Sequence, residues 1–104
     1  MRTREKSYSD YGITDHEKRY ILDFCRQANE EEKMLIKNAL SEIHTYISPY
    51  IYRSLTDGIS YNNICKMDYI YMRPEDFYAY RRKGMEAIKR WMILCGIWNC
   101  NENR

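Results

Sequence analysis

Leu55-Thr56-Asp57-Gly58-Ile59-Ser60-Tyr61-Asn62-Asn63-Ile64 is the stretch on which the fold turns. It reads as the close of one helix and the opening of the next. Leu55 ends an apolar face and Asp57-Gly58 stops the helix, because glycine readily takes the left-handed conformation that follows a helix end. Two residues later Ser60 is a favoured N-cap, whose hydroxyl can accept from a first-turn N–H. Ile64 and Cys65 then supply the inward side of a short helix over about Tyr61 to Met67.

The same punctuation recurs on either side. Upstream, Ser48-Pro49 is a start signal, with Ser as cap and Pro at the first helical position, where its missing N–H costs nothing. It predicts a helix over about Pro49 to Thr56 with Ile51, Tyr52 and Leu55 inward. Asn29-Glu30-Glu31-Glu32 pairs an N-cap with acids at the positive end of a helix dipole. That helix is expected over about Glu30 to Tyr46, with Met34, Leu35, Leu40, Ile43 and Ile47 as its apolar stripe and His44 as an ordinary helix residue. Thr14-Asp15-His16-Glu17 is a capping box. It opens a helix over about Asp15 to Ala28, with Tyr20, Ile21, Phe24 and Cys25 on one face, expected to form an antiparallel hairpin with the next.

Downstream, Asp68 to Arg73 is a turn carrying Tyr69, Ile70 and Met72. Pro74 then opens a last helix that runs to about Ile97, with Phe77, Tyr80, Gly84, Ile88, Trp91 and Cys95 along one stripe. The expected fold is all-α: a compact bundle of about five helices with a C-terminal helix-turn-helix and a long last helix. Residues 13–98 form the single domain, with the helix-turn-helix at about 49–88. Residues 1–12 are expected as a flexible arm and 99–104 as a polar tail.

Composition agrees with one globular domain and excludes several classes. The chain has 104 residues, 44% hydrophobic and 31% charged, a profile that can bury a core and is not that of a disordered chain. No apolar run approaches the roughly 20 residues that span a bilayer. The basic start, Met1 to Lys6, is followed by no apolar segment of the kind a secretory signal needs, so a cytoplasmic location and no membrane partner are expected. Cys25, Cys65, Cys95 and Cys100 show no zinc-knuckle spacing with each other or with His16 and His44, so no metal or other cofactor is expected and free thiols are the main reading. The Cys95–Cys100 pair is a minor lead for redox or metal chemistry. No phosphate-cradling glycine loop or nucleophile elbow is present, and no local set of Ser, His and Asp or of Cys and His suggests catalysis, so no enzyme is expected.

Net charge is only +2, so distribution matters more than total. Arg73, Arg81, Arg82, Lys83, Lys89 and Arg90 outnumber Glu75, Asp76 and Glu86 in the C-terminal half, whereas Glu30 to Glu32 is acidic. A short helix, a turn and a longer basic helix are in helix-turn-helix order. In such a unit the start of the second helix stands clear of the core and can enter a major groove, while flanking cations neutralise phosphates.

The quoted stretch resembles the start of the region-four helix-turn-helix of bacterial sigma factors, with its hydrophobic helix end followed by Gly-x-Ser-Tyr-x-x-Ile. Ile70 matches the apolar residue of that family's turn. Asp76-Phe77-Tyr78-Ala79-Tyr80-Arg81-Arg82-Lys83-Gly84-Met85 resembles the recognition helix and its basic continuation, with the Tyr-Arg-Arg-Lys ending of small phage and mobile-element regulators. The resemblance covers about Tyr50 to Ile88. It implies a duplex DNA-binding transcriptional regulator, sequence-specific or general, of phage or mobile-element type. It further implies Arg73, Glu75, Asp76, Tyr78 and Ala79 at the groove, Arg81, Arg82 and Lys83 on the backbone, and Ser60, Tyr61 and Asn62 near phosphate. The chain departs from the pattern in carrying about two extra residues before the Tyr-Arg-Arg-Lys run and in opening its last helix with Pro74-Glu75-Asp76. An acidic start repels phosphate, although a carboxylate can accept from cytosine N4.

A second reading stays open beside it. Near-neutral charge and abundant Tyr, Met and Trp suit a protein-interaction module, such as a phage-encoded binder of a host polymerase or a defence nuclease. RNA polymerase is also the protein partner that a sigma-like regulator would meet. The apolar run Trp91, Met92, Leu94, Ile97 and Trp98 either wraps over the N-terminal helices or forms a partner surface, including a homodimer through Trp91, Ile97 and Trp98.

Overall fold

The computed structural model describes residues 6–100, and all its regular structure is helical. After a 3-10 turn at Ser9–Tyr11 come α1 (Asp15–Gln27), α2 (Glu30–Leu40), α3 (Ser48–Asp57), α4 (Tyr61–Met67) and α5 (Pro74–Leu94). Both capping boxes form. Thr14 Oγ1 accepts from Glu17 N–H at 3.1 Å and Glu17 accepts from Thr14 N–H at 3.1 Å. Asn29 and Glu32 exchange the same pair of bonds at 2.8 Å each. Ser60 Oγ accepts from Asn63 N–H at 3.2 Å. At α3 the start differs from expectation. Ile47 holds the N-cap position without a side-chain bond, Ser48 is already helical, and Pro49 still sits in the first turn.

α5 is the axis of the fold. It packs chiefly against α2, and α1 packs chiefly against α3. The extended Ala28 and Asn29 between α1 and α2 separate those two helices, so they do not form the close hairpin expected of them. Gly84 marks the crossing of α5 with α2 and α3. A Cβ built there would lie 2.6 Å from Leu40 Cδ2 and 3.6 Å from Ile51 Cγ2. The core gathers Ile21, Ile36, Leu40, Ile47, Ile51, Leu55, Ile64, Phe77, Met85 and Ile88, none more than 1% exposed.

α2 departs from expectation in length and in facing. It ends at Leu40 rather than near Tyr46. The bonds from Glu42 N–H to Ala39 O and from Ile43 N–H to Leu40 O tighten its last turn, while the Ser41 hydroxyl donates to Asn38 O at 2.7 Å. His44 therefore lies in the following turn, against the rings of Tyr46 and Tyr80. The three consecutive apolar residues at 34–36 straddle the stripe. Ile36, Ala39 and Leu40, at i, i+3 and i+4 spacing, face the core, and Met34 is left exposed.

Of the expected flexible arm, residues 1–5 lie outside the described residues, whereas 6–12 fold back onto α5. Tyr8 O accepts from Tyr11 and Ile13 N–H, Tyr8 O–H donates to Met85 Sδ, and Arg82 Nε donates to Lys6 O at 2.9 Å. Lys89 Nζ reaches Gly12 O at 3.1 Å and the Glu17 carboxylate at 3.0 Å, tying this segment and α1 to α5.

The C-terminal apolar run divides. Trp91 donates to Glu42 Oε2 at 2.7 Å, Met92 is buried, and Trp98 meets Tyr20 edge-on at 5.0 Å. Ile93, Leu94 and Ile97 are exposed, as is Cys95, because α5 closes at Leu94 and runs past the end of the core. Of the polar tail, residues 101–104 lie outside the described residues. Among the described residues no helix is long and apolar enough to cross a membrane, and no group of three His, Cys, Asp or Glu is placed to hold a metal ion.

Candidate nucleic-acid interface

α3, α4 and α5 build a corner from the residues quoted at the outset. Gly58 ends α3 at φ +71°, the left-handed region, with the Arg26 guanidinium close above it. α4 follows at once, anchored by buried Ile64. Tyr61 then stitches α4 to what comes after. Its backbone N–H donates to the Tyr78 hydroxyl at 3.1 Å, its own hydroxyl donates to Met72 O, and its ring packs on Phe77 at 5.3 Å. Phe77 is wholly buried, so the first turns of α5 are held by one deep anchor while Arg73, Pro74 and Glu75 remain exposed.

The α4–α5 loop is tied by hydrogen bonds to α3 and to the turn before it. Asp68 accepts from the Tyr50 hydroxyl at 2.7 Å and from Tyr69 N–H at 2.8 Å. These two donors hold the Asp68 carboxyl below its ordinary value, and the same bond raises the Tyr50 phenol. The Tyr46 hydroxyl donates to Tyr69 O at 3.4 Å and accepts from Tyr71 N–H at 2.9 Å. Ile70 points into the core, and Tyr69 and Tyr71 on either side of it point to solvent.

The residues singled out from sequence separate into three groups. Ser60, Asn62, Arg73 and Glu75 are exposed on the corner, and Asp76, Tyr78 and Lys83 are half-buried beside them. Ser60 spends its hydroxyl on the α4 cap, and Tyr61 and Tyr78 are bonded to each other as above. One residue is corrected. Ala79, expected at the groove, is 1% exposed and cannot reach a ligand. Arg81, expected on a phosphate, is half-buried and gives its Nε to Ser54 Oγ at 3.0 Å, satisfying the one buried polar residue of the core among the described residues and leaving its other N–H groups over, as in Arg82. Its guanidinium also lies 5.9 Å from the centre of the Tyr78 ring.

Arg82 is half-committed, giving its Nε to Lys6 O. A guanidinium carries five N–H donors, so the rest remain for a ligand. Lys89 and Arg90 are taken up by Glu17, Glu42 and Glu86. The cations that the corner offers are therefore Arg73, Lys83 and parts of Arg81 and Arg82. Lys66 on α4 and Arg53 on α3 join them, and sequence reading passed both over. Tyr71 was passed over too. Its signal was the two-residue alternation around Ile70, which in extended chain sends 69 and 71 to the side opposite 70.

Comparison with known proteins finds no family model, no curated protein and no solved structure that matches the chain.

Proposed function

We propose that the chain is a duplex DNA-binding transcriptional regulator of sigma-region-four-like type, in which α4 braces α5 and the first turns of α5 enter the major groove. The observation that supports this reading most is the exposed start of α5 at Arg73, Pro74 and Glu75 above a buried Phe77 anchor. A recognition helix needs that combination of a free end and a rigid base. Arg73 stands at that end, and Arg82 and Lys83 follow more than two turns further along α5, where they can neutralise phosphates. Glu75 and Asp76 make the site selective about approach, since a carboxylate is tolerated only opposite a donor such as cytosine N4. A cytoplasmic regulator of phage or mobile-element origin is the corresponding biological reading, and RNA polymerase is the protein it would meet at a promoter.

The test is binding to random-sequence duplex at low salt, followed through a salt titration. Arg82→Ala with Lys83→Ala weakens binding to every sequence and reduces the salt dependence, because each lost phosphate contact lowers the slope by about one. Absence of duplex affinity at low salt rejects the proposal.

One observation favours the alternative, a protein-interaction module. Arg81, Arg82, Lys89 and Arg90 are all engaged inside the chain, and Leu94 stands 77% exposed at the opposite end of α5. A stoichiometric protein partner captured in the presence of nuclease, together with no duplex affinity, would decide for it. Of the homodimer residues Trp91, Ile97 and Trp98, only Ile97 stays exposed, beside Ile93 and Leu94, since Trp91 and Trp98 make contacts within the chain. Light scattering that shows a monomer rejects the homodimer.

A further inference from the structure

We propose that the loop between α4 and α5 is a second DNA-contacting element, in which Tyr69 and Tyr71 lie against the sugar-phosphate strand flanking the groove that receives α5. The inference rests on the duplex-binding reading and assigns a role to residues that reading leaves unused.

Five tyrosines share the work in this loop. Tyr46, Tyr50 and Tyr61 face it from the turn before α3, from α3 and from α4, and spend their hydroxyls on Tyr69, Tyr71, Asp68 and Met72. Tyr69 and Tyr71 are thereby held outward, 67% and 78% exposed, with ring centres 4.4 Å apart. Hydrophobic packing alone would favour turning at least one of these rings inward. The loop instead places Ile70, the smaller residue, at 3% exposure. The bonds from Tyr46, Tyr50 and Tyr61 and the burial of Ile70 offset the backbone entropy of ordering this loop, and leave its two rings displayed with little burial of their own. A ligand meeting such a preformed surface loses little further freedom, so the display favours binding.

Position and chemistry point to the DNA strand. The loop is continuous with the proposed interface, since Arg73, two residues after Tyr71, is the N-cap of α5. Exposed Lys66 and Arg73 bound the loop in the chain, half-buried Arg53 gives one N–H to Met67 Sδ at 3.5 Å beside it, and of the carboxylates Asp68 and Glu75, Asp68 already accepts from Tyr50 and from the backbone. A phenol O–H can donate to a phosphate oxygen while its ring lies on deoxyribose. The planes of Tyr69 and Tyr71 meet at 88°, so they show one face and one edge. That arrangement does not offer the parallel platform that a run of unpaired bases needs, and it suits the backbone of an intact duplex. The contact is therefore independent of sequence.

The test measures binding of the full chain to a dye-labelled random duplex across a range of salt. Tyr69→Ala with Tyr71→Ala weakens binding by roughly fivefold or more, the scale of lost hydroxyl hydrogen bonds together with the ring contacts, and leaves the salt slope unchanged because no cation is lost. Lys66→Ala does the reverse, lowering the slope by about one. Tyr69→Phe with Tyr71→Phe keeps the rings and loses roughly threefold, the scale of hydroxyl hydrogen bonds, and carries the test if the alanine variant melts early. Wild-type affinity in both tyrosine variants at every salt concentration overturns the proposal, and if Arg82→Ala with Lys83→Ala still weakens binding, the duplex reading survives it. Absence of duplex binding by the parent chain overturns both.

Discussion

Replacing Glu17 with alanine removes two attachments at once. Glu17 closes the α1 capping box by accepting from Thr14 N–H, and its carboxylate holds Lys89 Nζ at 3.0 Å, across from α1 to α5. Neither side chain is far into solvent, with 13% of Glu17 and 21% of Lys89 exposed, so water screens the pair only in part. The lost cap bond contributes about 0.5–1.5 kcal/mol and the lost charged bond about 1.5–3 kcal/mol before screening, while alanine returns a few tenths through helix propensity. The expected cost is about 2–3 kcal/mol, a fall in Tm of roughly 10–20 °C for a domain of this size. Glu17→Gln keeps a cap acceptor and loses the charge, so it costs about half as much. Thermal melts of Glu17→Ala, Lys89→Ala and the double variant close a cycle in which the two effects are less than additive, because both variants break the same pair. Strict additivity, or a Glu17→Ala cost under about 0.5 kcal/mol, refutes the view that Glu17 ties the N-terminal segment to α5.

Three further outcomes follow from other parts of the molecule. Gly58→Ala forces a side chain into the left-handed region and against the Arg26 guanidinium, 2.7 Å from the added carbon, and costs about 1–2 kcal/mol in a melt, with Gly58→Asn milder. Burial pushes the Cys25 thiol up to about 12, so a thiol alkylating agent marks exposed Cys95 in the native protein and reaches Cys25 only on unfolding, as mass spectrometry of timed samples would record. Glu42 is held below its ordinary 4.5, first by the Trp91 N–H and then by Arg90, so its stabilisation is complete above that value and lost as pH falls through the lowered one. In a Trp98→Phe background, Trp91 fluorescence should follow that loss on acidification, and Glu42→Gln should remove the transition.

Local chemistry was legible in the sequence wherever one residue acts on its neighbours. Thr14, Asn29 and Ser60 cap the helices that their side chains announce, and Gly58 and Pro74 stand where a helix must end or begin. What depended on distant partners was not legible. α2 stops at Leu40 because its last turn tightens, although the apolar spacing continues through Ile43 and Ile47. Arg81 reads as a free cation until buried Ser54, a turn before the end of α3, is seen to need its N–H. Ala79 has no sequence signal that separates a groove position from a packed one. The alternation around Ile70 puts Tyr69 and Tyr71 on one side of the turn, but that this side faces outward depends on the hydroxyls of Tyr46 and Tyr50, brought from elsewhere in the chain.

The most direct measurement is the salt dependence of binding to duplex DNA. If the start of α5 enters the groove with Lys66, Arg73, Arg82 and Lys83 on phosphates, the logarithm of the association constant falls linearly with the logarithm of salt concentration, with a slope of about −3 to −4. A chain that binds no duplex at low salt, or binds with a flat salt response, contradicts the account and leaves the corner of α3, α4 and α5 as a surface for another protein.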